Sequence, residues 1–198
     1  MTEAKPTGVT LGTVIAFVAP GFITLRGAAY HLPIAANWID AAVAKEQNVG
    51  IFFFALLASL SLGIVVSGIR SMLLDPLYHR GVFKLKPVSR VRLPFSELTT
   101  EHRLAAFEGI VENYYKYYQF YANTFVALLL LVIAHATADG AAKWSGVLYA
   151  VLFLSLLALF FAARSSLSQY SSAAEQLFVN RSGSNAQRLA TSQTTQKG

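Results

Sequence analysis

The chain has 198 residues, no cysteine, a net charge of +6 and a mean hydropathy of +0.48, with 55% hydrophobic and only 13% charged residues. Soluble domains carry about 25% charged residues, so this chain has too few to cover a water-facing surface. The composition excludes an ordinary soluble enzyme, a disulfide scaffold, a thiolate metal site and a cysteine nucleophile, and it points to an integral membrane protein.

Four stretches lack Asp, Glu, Lys and Arg: Pro6–Leu25, Gln47–Ile69, Tyr117–Ala138 and Trp144–Ala163, of 20, 23, 22 and 20 residues. Each meets the ~20 residues that a helix needs to cross ~30 Å of hydrocarbon. Continuous runs such as Phe52-Phe53-Phe54 and Leu128-Leu129-Leu130-Leu131 lack the alternation of a barrel strand, so the spans are helical. With their apolar flanks they cover about residues 6–30, 47–74, 117–138 and 144–163 of a transmembrane domain over 1–179. The first stretch reads as a retained helix rather than a cleaved signal, because the small-residue pair Val18-Ala19 is followed by Pro20.

Pro20-Gly21 predicts a kink in span one, with Arg26 beyond it. An arginine at this depth is a candidate for a pore or ligand role. The competing readings are snorkelling to the headgroups and an ion pair with Asp40. Residues 33–45 carry Ile34, Trp38, Ile39, Ala42 and Val43 at helical spacing behind Pro33, which predicts a short amphipathic helix on the outer membrane surface. Span two bears Ala55, Ser59, Gly63 and Ser67 at every fourth position, a ladder that lets backbones approach within the bundle or at another subunit.

Segment 75–116 is the sizeable aqueous feature. Pro76, Gly81 and Pro87 break its first half, where Lys84, Lys86, Arg90 and Arg92 alternate with Phe83, Leu85, Val91 and Leu93. In an extended chain this makes a strap with a basic face and an apolar face. The second half reads as a helix capped by Ser96, with Glu97, Glu101, Glu108 and Glu112 in one stripe, continuous with span three through Ala138. Glu112 and Lys116 are placed to pair. Asn123 in span three suits a helix-to-helix hydrogen bond or a gate. The linker 139–143 forces spans three and four into a hairpin, and residues 180–198, rich in Ser, Gln, Thr and Asn, are expected to be a disordered tail.

Thirteen of the sixteen basic residues fall in the N-terminus, the Arg70–Lys116 segment and the tail; Lys45 and Lys143 fall on the other side. The bias puts both termini in the cytoplasm, with Trp38 and Trp144 at the outer interface and the tyrosines from Tyr114 onward at the inner one. The positive charge suits an anionic inner leaflet and calls for no nucleic acid. The four histidines, His31, His79, His102 and His135, show no metal-ligand spacing, and no Glu-x-x-His pair accompanies the acidic stripe. No catalytic, metal or cofactor residue is therefore assigned.

In size and layout the chain resembles the small multi-span proteins that bacteria encode beside defence and stress systems, a resemblance that assigns no residues. The fold expected is an all-α integral membrane protein of four transmembrane helices. The function expected is that of a non-enzymatic, oligomeric inner-membrane component that senses, scaffolds or perturbs the membrane through loop 75–116. Its expected partners are anionic lipid, further copies or another membrane subunit, and a cytoplasmic protein at that loop. The alternatives are a channel or transporter path near Pro20, Arg26 and Asn123, and a lipid-acting enzyme.

Overall fold

The computed structural model describes residues 11–43, 49–80, 101–138 and 144–195, with side chains over 14–40, 49–78, 104–138 and 144–177. The described residues are all-helical: α1 (Leu11–Ala28), α2 (Pro33–Val43), α3 (Val49–Arg80), α4 (Glu101–Ile110), a π-helical turn (Val111–Tyr115), α5 (Lys116–Thr137) and α6 (Gly146–Thr195). Three stretches are long and apolar enough to cross a membrane: Val49–Tyr78, Leu104–Thr137 and Gly146–Leu177. The apolar α1 is shorter, at 18 residues.

Close contacts set the directions. Gly21 of α1 meets Ser59 and Gly63 of α3, and Phe17 also meets Gly63, so α1 and α3 run antiparallel. Asn123 lies beside Ala16, and Leu131 beside Gly27, so α1 and α5 run parallel. Trp144 stacks on His135, Phe160 on Phe125, and Tyr170 on Tyr115, so α6 returns antiparallel along α5. The main core joins Val66, Leu74 and Tyr78 of α3, Tyr118, Ala122, Val126 and Ala127 of α5, and Ala163 and Leu167 of α6.

Several expectations need correction. Pro76 was expected to break the chain, yet α3 runs through it to Arg80. The carbonyl that a proline at 76 frees belongs to Met72, a residue 79% exposed on the face of α3 turned away from the bundle. The uniform helix through span three carries a π-turn at Val111–Tyr115. At the end of that turn and just past it, Tyr115 and Tyr118, three residues apart on one helix face, pack inward against Tyr170 and Tyr78 respectively. The short helix after Pro33 forms as expected, and one face of it packs on the bundle: Ala35 and Ile39 are buried in a second core with Leu25, packed by Ala28, Ala29, Ala58 and Leu62. Residues 180–195, expected to be disordered, continue α6 through Thr195. Ala186, Gln187, Arg188, Leu189 and Ala190 are good helix formers that can propagate a helix already nucleated.

Candidate functional site

Charge-free runs end at Ile69 in α3 and Ala163 in α6, and the first charge after each is an arginine. The antiparallel packing brings these two ends together with the start of α5. Arg70 is only 4% exposed and lies over the Tyr118 ring, 5.0 Å from its centroid. The Tyr118 hydroxyl donates to Asp75 Oδ1. Tyr78 is fully buried, packs edge-on to Tyr118, and donates from its hydroxyl to the Phe160 carbonyl of α6 at 3.1 Å. Tyrosine side chains lean toward the N-terminus of their own helix, which is why residue 78 of α3 can reach back to residue 160 of α6.

These contacts fasten both ends of segment 75–116 to the bundle. Asp75 and Tyr78 stand at its start and Tyr118 just past its end. A buried guanidinium is tolerable here because an aromatic face and a nearby carboxylate offset its desolvation. Even so, Arg70 Nε and Nη1 and Arg164 Nε have no hydrogen-bond partner among the described residues. This end of the bundle is therefore rich in N–H donors.

The residues singled out from sequence are not those of this cluster. Lys84, Lys86, Arg90 and Arg92, with Glu97 of the acidic stripe, lie outside the described residues, as does the side chain of Glu101. Glu108 and Glu112 are exposed, and Glu112 pairs with Lys116 at 2.9 Å. Ala55, Ser59 and Gly63 are buried, and Ser67 is half-buried. A Cβ on Gly63 would stand 2.1 Å from the Phe17 carbonyl oxygen, and one on Gly21 would stand 1.7 Å from that of Ser59. The ladder thus packs helices within one chain. Ser59 turns its hydroxyl onto the Ala55 carbonyl at 2.7 Å.

Arg26 and Asn123 do not come together. Arg26 lies exposed at the end of α1 over the Tyr30 ring, 5.5 Å away, and among the described residues no ion pair joins it to Asp40. Asn123 is fully buried and donates from Nδ2 to the Ala16 carbonyl at 3.3 Å. Ala16 is the residue four before Pro20, whose missing N–H would otherwise bond that carbonyl. Asn123 therefore replaces the helical hydrogen bond that Pro20 removes, at a place where Ala16 is 2% exposed.

No known protein family, curated protein or solved structure matches this chain. Its function must be argued from its own residues. At the opposite end, His31 Nε2 contacts the Ala134 carbonyl at 3.0 Å and Thr137 Oγ1 at 3.2 Å, capping the C-terminus of α5. His135 stacks flat on Trp144 at 3.7 Å, with Tyr30 edge-on to it. Among the described residues no group of three His, Asp or Glu side chains gathers as metal ligands. A largely apolar groove of about 550 Å³ lies between α1 and α3, lined by residues including Val14, Val18, Phe22, Phe52 and Leu56, with Ser59. Such a groove is suited to an acyl chain.

The sequence reading used Arg70 and Arg164 only to set sidedness, and it placed Tyr118 in an interfacial belt. The signal that could have found the cluster is positional. In an antiparallel hairpin array, the first charges after alternate apolar runs must fall at the same level, beside whichever tyrosines start the intervening span.

Proposed function

We propose that the chain is a non-enzymatic, oligomeric component of a bacterial inner membrane, with four spans and both termini in the cytoplasm. It senses, scaffolds or perturbs the membrane through segment 75–116. The observation that carries this reading is the Arg70–Tyr118–Asp75 and Tyr78–Phe160 cluster, which ties both ends of that segment to three helices. A force or ligand acting on the segment would be felt by α3, α5 and α6 together. The antiparallel packing of α1 on α3 supports reading α1 as part of a fourth span. The exposed apolar face of α6, with Val151, Leu154 and Leu157, offers a surface to lipid or to a second copy.

The test joins topology to mass. A cytoplasm-active reporter fused after Gly198, or inserted near Lys86, is expected to be active, and one inserted near Lys143 silent. The full chain in nanodiscs is expected to measure as a multiple of its 21.5 kDa. The reverse reporter pattern would refute the topology, and a monomer mass would refute the oligomer. Steady conductance in planar bilayers would instead favour the channel reading near Pro20, Arg26 and Asn123.

A further inference from the structure

The face of α6 turned away from α5 changes character within one turn. Leu154, Leu157 and Phe161 are apolar and exposed. The charge-free run then ends, and Arg164, Ser165, Ser168 and Gln169 follow on the same side. With Phe161 they line an open cleft of about 280 Å³. Every polar group lining it can donate a hydrogen bond, and no carboxylate lines it. Arg164 Nε is buried without a partner among the described residues, and the Gln169 amide reaches Ser165 Oγ only at 3.5 Å.

The chemistry that answers this set is a phosphate oxyanion. Guanidinium groups bind phosphate through charge-assisted hydrogen bonds, and hydroxyls and amides can donate to the remaining oxygens. The cleft is smaller than sites for drug-sized ligands, which start near ~300 Å³, yet ample for a phosphate with a small substituent. Its place decides the source. The cleft opens where the 20-residue apolar run 144–163 stops, and Phe161 continues the apolar face on its membrane side. A phosphate seated there as part of a lipid can lay its acyl chains along Leu154 and Leu157.

We propose that Arg164, Ser165, Ser168 and Gln169 bind the phosphate of an anionic lipid headgroup at the membrane boundary. The proposal uses none of the strap residues Lys84, Lys86, Arg90 and Arg92. The full-length protein, purified in neutral detergent, is titrated with phosphatidylglycerol and separately with phosphatidylcholine, and bound lipid is counted by native mass spectrometry. Wild type is expected to retain phosphatidylglycerol preferentially. Arg164→Gln is expected to weaken that retention about tenfold, and Arg164→Lys by less. Ser165→Ala with Ser168→Ala, which leaves the buried side of α6 untouched, is expected to weaken it several-fold; this pair decides the matter if Arg164→Gln fails to fold. Changing the four strap residues to Gln is expected to leave retention unchanged. Millimolar inorganic phosphate or glycerol phosphate is expected not to displace the lipid. Displacement would overturn the lipid source in favour of a soluble phosphate. Equal retention of both lipids by wild type, no loss in the serine pair, or a loss confined to the strap variant would each overturn the site.

Discussion

Asn123 and Pro20 can be tested as a matched pair. The substitution Asn123→Leu keeps the branched shape and removes the Nδ2 donor from the Ala16 carbonyl, and the overpacking cost of its bulkier methyl groups is common to both backgrounds below. It also removes Oδ1, which is buried without a partner, and so relieves a penalty. The loss of the bond should dominate, because Pro20 leaves the Ala16 carbonyl with no helical donor and Ala16 is buried. Hydrogen bonds between membrane helices are worth about 0.6 kcal/mol on average and up to about 1.7. This one is long at 3.3 Å, but its alternative is an unpaired carbonyl in hydrocarbon, so about 1 kcal/mol is expected. Pro20→Ala restores the N–H that bonds Ala16. In that background Asn123→Leu should cost about 1 kcal/mol less than in wild type, and the Oδ1 term cancels between the two arms. The four proteins are compared by reversible unfolding in mixed micelles titrated with sodium dodecyl sulfate. If the two costs agree to within about 0.3 kcal/mol, the proline and the asparagine are uncoupled and the reasoning fails.

The remaining predictions concern packing and the strap. Gly21→Ala and Gly63→Ala each push a methyl group into a facing carbonyl, so each should lose about 1–3 kcal/mol in the same unfolding assay. Gly68→Ala meets nothing within 4 Å and should be neutral or gain up to about 1 kcal/mol from helix propensity; equal effects at all three would show that the α1–α3 approach is misjudged. In proteoliposomes, anionic lipid should protect the strap from protease, since each basic residue near such a surface contributes about 1 kcal/mol. Changing Lys84, Lys86, Arg90 and Arg92 to Gln should abolish that protection, whereas Glu108→Gln with Glu112→Gln should leave it intact. Protection that is the same on neutral lipid would assign the strap to another protein surface.

The apolar helices were legible in the sequence because length and composition suffice. A run of 20 uncharged residues can be stable in hydrocarbon only with its backbone bonds closed locally, whatever its neighbours. The continuity of the acidic helix with span three, and the Glu112–Lys116 pair within it, follow from the same local rules. What surrounds each polar group was not legible, because that depends on which helix lies opposite. Pro20 and Pro76 look alike in sequence. The fold sets the carbonyl freed by one against Asn123 and leaves the other on an exposed face. The ladder of Ala55, Ser59 and Gly63 announced close packing, but only the crossing with Phe17 and Gly21 showed that its partner is α1 of the same chain. Arg70, Asp75, Tyr78, Tyr118 and Arg164 span almost a hundred positions, with no spacing to join them. Antiparallel packing brings them to one level, where Tyr118 meets Asp75 and Arg70, and Tyr78 meets Phe160.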